Sequence, residues 1–193
     1  MRTETKEYTV YDYNDLLANK ELKERVLKEN WDINIEYIDW WIGIYDNWDS
    51  YLESLGFIHP QVEEFDIGRG YATFSCKNIN LIELFDSNDF KEFIGNQLTD
   101  KELKTLRELY NHGLIDNFSC ERGYYNDLNP IKHHKKLDIV DKFDMILHEF
   151  IEELHDELYN LLRDEYTYLT SEEAILETLQ INGYEFLEDG TIA

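Results

Sequence analysis

Two prolines, two cysteines and nine glycines in 193 residues leave little from which to build linkers, disulfides or hinges. Pro60 and Pro130 stand apart, no Ser- or Gly-rich stretch accompanies them, and the sequence therefore predicts a single acidic domain over residues 1–193. Cys76 and Cys120 form no CxxC pair, zinc-ligand spacing or disulfide framework, which points to a reducing, cytoplasmic compartment. No apolar run approaches the ~20 residues of a membrane span, and Met1 opens a polar, charged stretch where a secretory signal would be apolar. Neither secretion nor membrane insertion is expected.

Positive charge is missing in a more specific way. Trp31 to Gly68 holds nine acidic residues and no Lys or Arg, and Asp141 to Ala193 holds fifteen acidic and two basic. These blocks contribute −9 and −13 of a formal net charge of −24, while residues 1–30 and 69–140 are close to neutral. Such segregation opposes direct binding of the acidic faces to DNA, RNA or anionic lipid and favours a partner built to receive negative charge. The one basic cluster, Lys132-His133-His134-Lys135-Lys136, reads as a helix approach or solvated loop.

What is abundant is aromatic: four Trp, fourteen Tyr and ten Phe run through the acidic blocks themselves. Disordered acidic tails lack such rings, so these segments should fold with carboxylates on one side and rings on the other. The pattern predicts an α+β domain with a small antiparallel sheet packed by several helices. A strand is expected over Glu7–Tyr13, a helix over Leu16–Lys28, and a helix over Ile35–Leu55 with Ile38, Trp41, Tyr45, Trp48, Leu52 and Leu55 on its apolar face. Gly56 should end that helix. Gln61–Ile67 and Tyr71–Lys77 read as a hairpin turning at Gly68-Arg69-Gly70, followed by short helices near Leu81–Phe85 and Asp89–Gly95. Thr99 and Glu102 form a capping box that starts a helix over Asp100–Asn111. A strand over Ile115–Arg122 and a loop over Tyr124–Lys136 precede the longest helix, Leu137–Tyr166, whose apolar face is Phe143, Ile146, Leu147, Phe150, Leu154, Leu158 and Leu161. A helix over Ser171–Ile181 and a strand near Tyr184–Leu187 close the chain.

Catalytic signatures are wanting. His148-Glu149-Phe150-Ile151-Glu152 departs from the zinc motif HExxH at its second ligand, and Glu152-x-x-His155 has no second copy to complete a di-iron carboxylate site. His148 and His155 read as polar-face or helix-surface residues. There is no Gly-x-Ser-x-Gly elbow, Walker sequence or dinucleotide fingerprint, and Cys76 and Cys120 fall in apolar strand patterns. Trp40, Trp41, Trp48 and Tyr51 could stack bases, but without positive charge nearby they read as packing residues. No cofactor or metal is expected, and the chain reads as a binding protein rather than an enzyme.

Two carboxylate stripes carry the functional expectation: Asp39, Asp46, Asp49 and Glu53 on the first long helix, and Glu149, Glu152, Glu153 and Asp156 on the longest. Neighbours at i, i+3 and i, i+4 lie roughly 5–6 Å apart, on the scale of the ~3.4 Å axial advance between phosphates of one DNA strand. Like charges at this spacing cost a helix a few tenths of a kcal/mol each, and no lysines are interspersed in the first stripe to offset it.

The ending Leu162-Arg163-Asp164-Glu165-Tyr166-Thr167-Tyr168-Leu169-Thr170-Ser171-Glu172-Glu173-Ala174-Ile175, then Ile181-Asn182-Gly183-Tyr184-Glu185-Phe186-Leu187-Glu188-Asp189-Gly190, resembles that of a group of uncharacterised phage and prophage accessory proteins. Trp40-Trp41, Leu55-Gly56-Phe57 and the glycine hairpin before Phe74 occur there in similar order, although Ile67-Gly68-Arg69-Gly70-Tyr71 departs from that group's hairpin wording. Members are sometimes labelled antitoxin-like. The resemblance implies an origin on a mobile element and transfers no catalytic residue. Together with the charge, it leads to the expectation of an anti-CRISPR or related anti-defence inhibitor, whose eight stripe carboxylates mimic DNA on the nucleic-acid-binding surface of a host nuclease. The alternatives are an antitoxin-like protein neutralising a basic toxin, and a small metal-dependent hydrolase.

Overall fold

The computed structural model describes residues 7–36, 39–115, 120–121, 124–125 and 137–193, and these form an α+β fold. Ile38, the interior of the expected Ile115–Arg122 strand, most of the Tyr124–Lys136 loop and the Lys132–Lys136 cluster lie outside the described residues. The chain divides into two compact units, Met1–Trp40 with Arg163–Ala193, and Trp41–Leu162. The linker-free sequence carries no mark of this division, because one unit is assembled from both ends of the chain.

In the terminal unit, the expected strand at Glu7–Tyr13 is reduced to a single antiparallel bridge between Tyr11 and Phe186, and Phe186 in turn bridges Ile192. Asp12 ends the extended segment by capping helix α1 (Tyr13–Ala18). Its side chain accepts from the Asn14 and Asp15 amides, while Asp15 accepts from the Asp12 amide at 3.1 Å. The Leu16–Lys28 helix is in fact two. Asn19 closes α1 and caps α2 (Lys20–Glu29), its side chain accepting from the Leu22 amide, so the chain turns where continuous helix was expected. Leu16, Leu22 and Val26 pack with Ile175 and Leu179 of α8 (Glu172–Ile181) and with Phe186 into one core, ringed by Tyr11, Tyr13 and Tyr184. Asn34 is buried but satisfied: its amide donates to the Leu169 carbonyl at 2.9 Å and its oxygen accepts from the Thr178 hydroxyl at 2.7 Å.

The central unit starts with α3 (Ile42–Ser54), seven residues later than expected. Gly56, at φ 94°, ends it as anticipated, and a Cβ there would come within 2.8 Å of the Asn80 carbonyl oxygen. The described strands form three separate two-stranded antiparallel pairs. β1 (Phe57–Ile58) pairs with β4 (Asn78–Ile79), and the hairpin of β2 (Gln61–Asp66) and β3 (Tyr71–Ser75) lies where the glycine turn was expected, with a register shift between Val62 and Glu64. β5 (Cys120–Glu121) pairs with β6 (Tyr124–Tyr125), so the expected loop contains a short strand. Helices α4 (Leu81–Asp86), α5 (Asn88–Ile94) and α6 (Asp100–Asn111) follow, α6 with the Thr99–Glu102 capping box in place.

Helix α7 (Leu137–Leu169) belongs to the central unit as far as Leu162. Its Phe143 and Phe150 meet Phe85 and Phe90, with centroid separations of 5.2 Å for Phe85–Phe143 and 5.1 Å for Phe90–Phe150. The buried face rotates by roughly 115° along the helix at 100° per residue. Phe143, Ile146 and Phe150 are inside early, whereas Ile151, His155, Leu158 and Leu162 are inside later. That rotation corrects two expectations: Leu161 is 49% exposed, and His155 is only 8% exposed. No described helix is long and apolar enough to cross a membrane.

Candidate functional site

The α3 stripe is shorter than its sequence suggested. Asp39 precedes the helix and belongs to the terminal unit, so only Asp46, Asp49 and Glu53 share a helical surface. Asp46 and Glu53 are exposed, while Asp49 is half-buried beside the Val62 amide, with its Oδ1 enclosed and making no hydrogen bond among the described residues. Burial raises the Asp49 carboxyl above its ordinary value; the Val62 hydrogen bond pulls it down, and the charges of Asp46 and Glu53 add to the rise. A carboxylate with a raised folded pKa is a stability cost above that pKa, and the cost disappears as pH falls through it toward the ordinary 3.8. Asp49→Asn removes two like-charge neighbours worth ~0.2–0.5 kcal/mol each. It should therefore raise the Tm by about 1–4 °C at pH 7 and by less near pH 4, as the cost fades toward 3.8. Thermal melts at both pH values check this; equal gains would show that charge is not the cause.

On α7, Glu149, Glu152, Glu153 and Asp156 are all exposed. From Phe143 to Leu162 this helix carries six carboxylates and no Lys or Arg. Among the described residues, Glu149, Glu153 and Asp156 make no ion pair with Lys or Arg, in contrast to Glu102, which binds Lys142 at 3.0 Å, and Asp86, which binds Arg107 at 2.7 Å. Glu149 to Glu157 spans ~12 Å at 1.5 Å per residue. Behind this row the helix is held by its buried side chains. The His155 ring stands edge-on to Phe74 at 4.6 Å and faces the Phe74 backbone acceptor. Burial lowers its pKa against the pull of Glu152, that hydrogen bond and Asp156, and this favours the neutral imidazole under the acidic face.

The two stripes do not merge into one row. At 100° per residue, Asp46, Asp49 and Glu53 lie within ~60° of one another, on the side of α3 opposite Tyr51. Tyr51 faces α5 and α7: its hydroxyl donates to Asp89 Oδ2 at 3.0 Å, and it lines a cleft with Glu153, Leu154 and Glu157 of α7. Burial, the Asp89 hydrogen bond and the charges of Asp89, Glu157 and Glu153 hold the Tyr51 phenol above its ordinary value. The cleft encloses about 560 Å³ and is completed by Glu92, Phe93 and Phe150. Phe93 and Phe150 make its aromatic floor, their centroids 5.0 Å apart. Of the eight stripe carboxylates only Glu153 reaches this cleft. Asp89, Glu92 and Glu157 were absent from the sequence-derived set because they lie outside both stripes or at the edge of one.

Trp40, Trp41 and Trp48 pack as expected. Trp48 is buried against Tyr51 at 5.1 Å, Trp41 lies against Phe65 at 5.7 Å, and Trp40 lies against Tyr166 at 6.0 Å. No group of three or more His, Cys, Asp or Glu side chains among the described residues is placed to hold a metal ion. No protein-family model matches the chain, and neither a curated protein nor a solved structure matches it.

Proposed function

We propose that the protein is a phage-type anti-defence inhibitor that acts in the bacterial cytosol by occupying the nucleic-acid-binding surface of a host nuclease complex, with carboxylates standing in for DNA phosphates. The observation that carries this reading is the α7 row: exposed Glu149, Glu152, Glu153 and Asp156 on a helix whose opposite face is fully packed. A rigid helix presents like charges at fixed spacing without reorganising on binding. The charge pattern steers a basic partner electrostatically and repels nucleic acid itself.

The nearest competing reading is an antitoxin-like protein that masks a basic toxin, since it uses the same electrostatics. Pull-down from host lysate followed by mass spectrometry separates them: recovery of a nuclease complex supports inhibition of defence, recovery of a toxin supports the alternative. With the recovered nuclease, the protein should compete with target DNA. Its affinity should fall about tenfold or more between 50 and 200 mM salt, as expected when several charge contacts are screened. Affinity independent of salt, or simultaneous binding of protein and DNA, would overturn the proposal.

A further inference from the structure

We propose that the cleft between α3, α5 and α7 receives a single arginine side chain of the partner, an inference that rests on the reading of this chain as a ligand for a basic protein. Two features meet there. Asp89, Glu92, Glu153 and Glu157 supply acceptors from two helices, and among the described residues none of the four pairs with a Lys or Arg. Phe93 and Phe150 supply an apolar floor, which hydrated small cations do not need and a side chain with an aliphatic stem does.

Arginine fits each feature. Its guanidinium bonds carboxylates through paired N–H donors, and its flat face stacks on aromatic rings, whereas a lysine ammonium does only the first, as a point donor. The Tyr51 hydroxyl, donating to Asp89 Oδ2, fixes that carboxylate and leaves its other oxygen for the incoming group. The mutual repulsion of Glu153, Asp89 and Glu157, which with burial raises the Glu157 carboxyl, is relieved when a cation enters.

The test uses nona-arginine and nona-lysine peptides of equal charge, titrated into the full chain at fixed ionic strength by calorimetry and by amide chemical-shift mapping. Nona-arginine should bind about fivefold more tightly than nona-lysine, the scale of one cation–π contact, with shifts at Tyr51, Asp89, Phe93 and Glu157. Phe93→Ala should remove that preference, weakening nona-arginine about fivefold more than nona-lysine. Glu92→Gln with Glu157→Gln, which relieves like-charge repulsion and so should fold, should weaken both peptides. Equal affinities, absence of binding, or shifts confined to Glu149 and Asp156 would overturn the arginine site. Those outcomes leave the nuclease-competition result untouched, and loss of competition leaves the peptide preference untouched, so the two proposals fail separately.

Discussion

Gly190→Ala should destabilise the protein by about 3 kcal/mol or more, placing it in the steep tail of single substitutions. Gly190 sits at φ 95°, and a Cβ there would meet the Arg25 carbonyl carbon at 2.7 Å and the Val26 amide nitrogen at 2.9 Å. Those neighbours are backbone atoms of α2, which cannot swing aside. The close approach is held from both sides: the Asn30 amide donates to the Val26 and Gly190 carbonyls at 2.8 and 2.9 Å, and Arg25 Nε donates to the Glu188 carbonyl at 2.8 Å. Forcing a methyl group into this seam lifts the C-terminal segment from α2 and loosens Phe186 from the core it completes. Gly183→Ala is the control. Gly183 also has positive φ, 64°, but open space where its Cβ would go, so it should cost only ~1 kcal/mol of backbone preference. Urea unfolding of both variants, with wild type alongside, separates clash from conformation, and equal losses would remove the close approach as the cause.

The features readable in the sequence were those determined by neighbours in the chain. Thr99 and Glu102 are three residues apart and set the start of α6 by themselves. Gly70 acts through the positive φ of its own peptide unit, and so does Gly56, although the close approach of Asn80 to Gly56 was not legible. Asn19 also carried a local signal, since it caps α2 through the Leu22 amide, but the apolar periodicity running through it hid the break. The early start expected for α3 failed for a long-range reason. Asn34 is held by Leu169 and Thr178, 135 and 144 residues away, partners that nothing local to it announces. The burial of His155 followed from the rotating face of α7, a small error per turn that accumulates along 33 residues. The cleft was illegible for the simplest reason. Tyr51 and Asp89 are 38 residues apart, and nothing local to either says that they will meet.

The α7 row survives these corrections better than the α3 stripe, and this asymmetry fixes the most informative functional experiment. Replacing Glu149, Glu152, Glu153 and Asp156 together by lysine should weaken nuclease binding by at least a hundredfold, or about 3 kcal/mol, and abolish inhibition. Each reversal converts an attraction into a like-charge juxtaposition, which costs much more than deleting the attraction. The four side chains are exposed, lysine is as good a helix former as glutamate, and the reversed row borders Glu157, so the fold should persist with an unchanged far-ultraviolet circular dichroism spectrum. On α3 only Asp46 and Glu53 should be reversed, because a lysine at half-buried Asp49 would disturb the contact with β2. Since Tyr51 separates that surface from the cleft and α7, the α3 double reversal should weaken binding less than the α7 change, unless the partner grips both sides of the helix. Full inhibition by both folded variants would exclude the acidic-surface mechanism. Loss confined to the α7 variant would place the phosphate-like row on that helix alone, with the aromatic cleft opening along its edge through Glu153 and Glu157.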